Sequence, residues 1–165
     1  MSFAQDLLEQ AEHLANRDGA NPKQASLRRA VSTAYYALFH LLIDEAVGHW
    51  SVARHRGRLA RTFDHGSMKR VCDDYVKSFY KAGKPASELL LKEVAQTFSE
   101  LQLRRHTADY DNSYVWTRAL AQEWIDRTGI AFTYWDTIRT QDESQDFLLS
   151  SSFPDLPAHK KTRRP

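Results

Sequence analysis

The sequence has few residues that hold metals or form covalent cross-links. Cys72 is the one cysteine among 165 residues, which excludes a disulfide within the chain and a cysteine-rich zinc site. No His-x-x-x-His or Cys-x-x-Cys spacing occurs. Because metal sites in proteins need such clustered ligands, we expect neither a metal site nor a bound cofactor.

Long apolar runs are also absent from the sequence. No stretch approaches the roughly 18 apolar residues of a membrane span, and the first residues lead into an amphipathic helix rather than a signal peptide. The net charge is only +2, a mildly basic balance that permits nucleic-acid binding without requiring it. We therefore expect a cytoplasmic protein that does not bind membranes.

The spacing of apolar residues predicts an all-α protein, because it is helical nearly throughout and no segment alternates as a strand does. The predicted helices cover residues 3–17, 23–47, 67–80, 86–110 and 115–139, a bundle of about five helices in one domain, 1–139. Residues 50–64 are predicted to form an irregular basic connection. Residues 140–165 are predicted to form a C-terminal tail that is flexible or docks through its apolar residues 147–149 on a partner or on this domain.

The second predicted helix has two faces that both need partners. At 100° per residue, one face carries apolar side chains (Leu27, Val31, Ala34, Leu38, Leu41, Leu42). Arg29, Thr33, Tyr36 and His40 lie in a line on the opposite face. Because these aromatic and hydrogen-bonding groups need partners, the pattern predicts a central helix, with Arg29, Tyr36 and His40 as candidate ligand-binding residues.

Three segments of the sequence carry a family resemblance. The pattern Arg29-x-x-Ser32-x-x-Tyr35-Tyr36-Ala37-x-Phe39-His40 is similar to the second helix of the HEPN domain family. Residues 62–71 resemble the histidine-containing loop that opens its third helix, and residues 104–111 resemble an Arg-x-x-Ala-Asp-Tyr variant of its fourth helix. The resemblance implies an all-α bundle in which the second and fourth helices pack together and form a homodimer. It also implies a nucleotidyltransferase or other operon partner, in a toxin–antitoxin or defence system.

HEPN ribonucleases carry an arginine followed after four to six residues by a histidine. From Arg104 or Arg105 those positions hold Asp109, Tyr110, Asp111 and Asn112, so the family histidine is missing. The candidate catalytic residues are Arg105, Arg104, Asp109 and Tyr110, with His40 as a substitute base. The spacing of Arg105 and Asp109 on one helical stripe also fits a structural ion pair.

The loop before the third predicted helix is rich in arginine: Arg54, Arg56, Arg58 and Arg61. Basic residues with aromatic neighbours suit single-stranded nucleic acid, although a solvated loop gives the same pattern. Asp64 and His65 are predicted to cap the following helix. Trp116, Trp124 and Trp135 suggest more aromatic surface than five helices bury, which favours a homodimer.

Two functions follow from these patterns. The first is a HEPN-like module that binds RNA, a nucleotide or a protein partner, with a degenerate Arg-x4–6-His motif. The second is a metal-independent endoribonuclease that uses Arg105 with a substitute base such as His40. The missing family histidine favours the first.

Overall fold

A computed structural model describes residues 2–48, 51–80 and 83–152. This part of the chain contains seven α-helices and no strand: α1 Phe3–Asn16, α2 Gln24–Gly48, α3 Ala53–Ala60, α4 His65–Ser78, α5 Ala86–Tyr110, α6 Arg118–Ile138 and α7 Asp142–Ser152. The all-α prediction is confirmed. The five predicted helices correspond to α1, α2, α4, α5 and α6, and two further helices were not predicted.

Helix α3 lies where an irregular connection was predicted. Arginine favours helix formation, and the helix continues through Gly57 although glycine disfavours it. None of its residues is buried, while Leu59 and Ala60 are half-buried against the bundle. The helix is therefore held by one narrow apolar edge, which explains why the apolar spacing alone did not reveal it.

Helix α7 comprises residues that were predicted to belong to the tail. Asp142 and Glu143 lie in its first turn, where negative charge favours the helix dipole. Phe147 and Leu148 are buried, and the Phe147 ring lies 5.7 Å from that of Tyr75 on α4. Residues 142–152 are therefore docked on their own domain rather than flexible; residues 153–165 lie outside the described part.

Helix α2 is the central helix, as its two faces predicted. It packs against α1, α5 and α6, and thirteen of its residues are buried. Arg28 near its start binds backbone carbonyls at the end of α5, whereas Phe39 stacks on Phe98 earlier in α5. Helices α2 and α5 are therefore antiparallel and in contact, which confirms the predicted packing of these two helices.

Three tryptophans of the described residues are covered within this chain. Trp116, Trp124 and Trp135 are all buried. The Gln24 side chain accepts from the Trp116 backbone N–H at 2.9 Å and donates to its carbonyl at 2.7 Å, tying the approach to α6 onto α2. These three side chains therefore leave no exposed tryptophan surface of the kind that favoured a dimer. None of the described helices is long and apolar enough to cross a membrane.

Candidate functional site

Arg105 projects from α5 onto two tyrosines of α2. Its Cζ lies 5.6 Å from the ring centroid of Tyr35 and 5.6 Å from that of Tyr36, within cation–π range. Its Nε lies 3.1 Å from Asp109 Oδ2, one turn along α5. Nε is buried and its N–H is not aligned with that oxygen, so the contact is an ion pair rather than a hydrogen bond.

Asp109 is shared between the two helices. Ser32 on α2 is buried, and its Oγ donates a hydrogen bond to Asp109 Oδ2 at 3.4 Å. Within the described residues, Nη1 and Nη2 of Arg105 make no hydrogen bond. The side chain of Arg105 is 17% exposed, so these terminal N–H groups can donate to an anion that arrives from solvent.

His65 is the first residue of α4 and lies against the same tyrosines. Asp64 caps this helix as predicted, accepting from the Ser67 backbone N–H at 2.9 Å. The His65 ring centroid is 4.3 Å from that of Phe39 and 5.8 Å from that of Tyr36. The Asp64 cap therefore starts α4 at His65, whose ring packs against residues in the middle of α2.

The charge of His65 is set by its surroundings. Burial lowers the pKa of His65, the positive charge of Arg105 lowers it further, and Asp64 opposes both. Burial also raises the pKa of Tyr35, whose hydroxyl lies 2.7 Å from His65 Nδ1 and stays protonated. When Tyr35 donates this bond, His65 Nε2 carries a proton and can donate; in the other tautomer Nε2 can accept.

His40 adds a second neutral imidazole to this surface. Burial lowers its pKa, and Asp44 on the next turn partly offsets that effect. Its ring lies 4.9 Å from that of Phe3, at the start of α1. The "Arg105 site" is hereafter this cluster: Ser32, Tyr35, Tyr36, His40, His65, Arg105 and Asp109.

His65 is the site residue that the sequence did not single out. It was interpreted as a helix cap, because its position before a predicted helix explains it locally. The signal was present in the resemblance of residues 62–71 to a histidine-containing loop. Only the packing of α4 on α5, which carries Arg105, and the Tyr35 hydrogen bond place it in the site.

Other candidates lie apart from the Arg105 site. Arg104 stacks on Trp124 of α6, with its Cζ 5.2 Å from the ring, and Tyr110 is exposed beside His106. Arg29 is exposed on α2, on the side of Tyr36. The arginines of residues 54–61, Arg54, Arg56, Arg58 and Arg61, lie on α3 or directly after it rather than on α2, α4 or α5, and Arg54, Arg58 and Arg61 are exposed.

The described residues contain no group of three or more histidine, cysteine or acidic side chains that could hold a metal ion. Cys72 is fully buried, and burial raises the pKa of its thiol. Comparison with models of protein families, with curated proteins and with solved structures finds no match to this chain.

Proposed function

We propose that this chain is a HEPN-like module that binds RNA or a nucleotide through a phosphate at the Arg105 site. The observation that carries the proposal is the state of Arg105. Its guanidinium lies against two adjacent tyrosine rings, those of Tyr35 and Tyr36, and its terminal N–H groups have no acceptor in the described part of the chain. A guanidinium held in this way is pre-organised for the paired oxygens of a phosphate.

The surroundings of Arg105 favour an anion with several oxygens. Asp109 offsets part of the positive charge, so binding needs further donors, and His65 Nε2 can supply one. The exposed arginines of α3 and Arg29 add positive potential around the bundle, which favours the approach of a polyanion such as RNA.

Anisotropy of a fluorescein-labelled single-stranded RNA tests this function. We expect Arg105→Gln to weaken binding by roughly tenfold or more, because a charge-assisted donor pair is lost. The matched control is Arg104→Gln, a neighbouring arginine on α5 that stacks on Trp124 instead. If both variants bind the RNA as tightly as the wild type does, the Arg105 site is not the binding site. The α3 arginines then become the leading candidates.

A second candidate function is metal-independent RNA cleavage. It is favoured by one observation: His65, neutral near pH 7, lies beside Arg105 with Nε2 free of hydrogen bonds to the described residues. In this reaction the His65 tautomer with an unprotonated Nε2 accepts the proton of a ribose 2′-hydroxyl, and that oxygen attacks the phosphorus. The bond to the 5′-oxygen breaks, and the departing 5′-oxygen takes a proton from water. Arg105 stabilises the charge on the phosphate oxygens. His40 is the alternative base.

Cleavage is tested by incubating end-labelled RNA with the protein in the presence of EDTA. Loss of 2′,3′-cyclic phosphate products in His65→Ala, but not in His106→Ala, supports cleavage with His65 as base. Loss in His40→Ala alone assigns the base to His40. If the wild-type protein binds the RNA but does not cleave it, the binding function stands and the ribonuclease function is rejected.

The proposal includes the partners that the resemblance implies: a homodimer, and a nucleotidyltransferase or other partner from the same operon in a toxin–antitoxin or defence system. Leu103 and Tyr110 support a protein contact, since both are exposed and lie two turns apart on one side of α5. Sedimentation velocity of the wild type and of the double variant Leu103→Ser, Tyr110→Ser tests the homodimer. A monomer at tens of micromolar in both cases would reject the homodimer.

A further inference from the structure

Phe3 exposes an aromatic ring next to the Arg105 site. It is the only exposed phenylalanine among the described residues, and 57% of it is accessible. Its ring centroid lies 4.9 Å from that of His40, with the ring planes at 72°. In an edge-to-face pair, His40 covers at most one face of the Phe3 ring, so another face is open for stacking.

Phe3 is continuous with the residues that surround Arg105. His40 and Tyr36 are four residues apart on α2, which is about one helical turn. The Tyr36 ring in turn lies 5.6 Å from Arg105 Cζ. The Phe39 ring lies 5.6 Å from that of His40 and 4.3 Å from that of His65, so ring contacts join Phe3 to the residues around Arg105. Burial lowers the pKa of His40, which favours its neutral form.

We infer that Phe3, with His40 behind it, stacks on an unpaired nucleobase of the ligand whose phosphate lies on Arg105. This inference rests on the proposed function. Stacking on an aromatic face needs a base that is not already stacked in a duplex. The ligand class is therefore single-stranded RNA or a free nucleotide rather than double-stranded RNA.

The short distance along α2 links the two contacts. About one turn of helix separates His40 from Tyr36, and Tyr36 lies directly against Arg105. A base on Phe3 and a phosphate on Arg105 thus belong to one bound ligand. The recognition is tolerant of sequence, because every base has a face for stacking.

The test compares two oligonucleotides of about eight residues, one of uridines and one of abasic ribose phosphates with the same charge. We expect the wild type to bind oligouridine roughly tenfold more tightly than the abasic chain. Phe3→Ala should remove this preference and leave the affinity for the abasic chain unchanged, whereas Phe3→Trp should keep it. Tyr80→Ala is the control, since Tyr80 is also an exposed aromatic residue, at 74%, but lies after α4 and away from α1.

Failure of the inference about Phe3 and failure of the proposed function give different results. Equal affinities of the wild type for both oligonucleotides, with Arg105→Gln weakening both, overturn the inference and leave the proposed function standing. Binding to neither overturns both. If Phe3→Ala lowers both affinities equally and also reduces the sedimentation coefficient, Phe3 is a contact between protein chains, and the inference is wrong.

Discussion

The hydroxyl of Tyr35 lies 2.7 Å from Nδ1 of His65. This hydrogen bond joins the middle of α2 to the first residue of α4, across the face on which Arg105 lies. Tyr35 is fully buried, so its hydroxyl needs a partner inside the protein, and His65 is the partner the structure provides. The same bond fixes the orientation of the imidazole toward Arg105.

Tyr35→Phe should therefore destabilise the fold and disturb the site together. Removing the hydroxyl leaves His65 Nδ1 without its partner, which we expect to cost about 1–2 kcal/mol in the free energy of unfolding by urea. Tyr36→Phe is the matched control, because the Tyr36 hydroxyl makes no hydrogen bond to the described residues. Equal losses in both variants would contradict the assigned hydrogen bond.

The two half-buried histidines of the Arg105 site, His40 and His65, predict a loss of stability on mild acidification. Their pKa values are lowered in the folded state by burial, below about 6.5 in the unfolded chain. The unfolded chain then binds more protons, so the stability contributed by the neutral rings is present above about pH 6.5 and is lost as the pH falls toward the folded-state pKa values.

Urea unfolding at about pH 7.5 and about pH 5.5 measures this effect above the range in which carboxylates titrate. His65→Gln and His40→Gln should each show a smaller loss of stability between the two values than the wild type. His106→Gln, which removes an exposed histidine on α5, should behave as the wild type does. If His65→Gln and His40→Gln lose as much stability between the two pH values as the wild type does, the prediction is wrong.

The central part of the fold was predictable because α2 and α5 are long. Each spans 25 residues, so the helical period is repeated many times, and the polar line of α2 identified Tyr36 and His40 as partners of another helix. The Arg105–Asp109 ion pair followed from the same period, since residues four apart share a face.

The rest depends on contacts between distant segments. Helix α3 buries no residue, so its sequence carries almost no apolar signal, and α7 looks like a polar tail until Phe147 and Leu148 meet α2 and α4. His65 is explained by capping alone until the Tyr35 hydroxyl is placed beside it. Local patterns contain no information about such pairings.

Arg28 and Arg29 are neighbours with opposite expected roles. Arg28 donates to the carbonyls of Ala108 at 2.9 Å, and of Asp111 and Tyr114 both at 2.8 Å, which satisfies the end of α5. Arg28→Met should lower the free energy of unfolding by about 2–4 kcal/mol, because three charge-assisted hydrogen bonds are lost. Arg29→Met should change stability by less than about 0.5 kcal/mol, since Arg29 is exposed, and weaken only RNA binding. The reverse order in urea titrations would disprove this assignment.

Arg105→Ala should be less costly than the loss of a fully buried ion pair. Both side chains retain some exposure, 17% for Arg105 and 20% for Asp109, and Ser32 still donates to the stranded carboxylate. We expect a loss of about 1–3 kcal/mol, below the roughly 3–5 kcal/mol of a complete burial. Because the pair acts as a unit, the double variant with Asp109→Ala should lose less than the sum of the two single variants. Additive losses in thermal or urea unfolding would show that the two residues do not interact.

On α7, one buried and one exposed side chain lie two residues apart. Phe147 is buried against Tyr75, whereas Leu149 is 51% exposed. Phe147→Ala should cost about 3 kcal/mol through lost burial and the cavity it leaves, and it should speed amide hydrogen exchange throughout 142–152. Leu149→Ala should change neither quantity appreciably, because its side chain is already largely in water. If Phe147→Ala leaves both the stability and the exchange of α7 unchanged, the helix is not docked in solution, and the packed domain ends with α6.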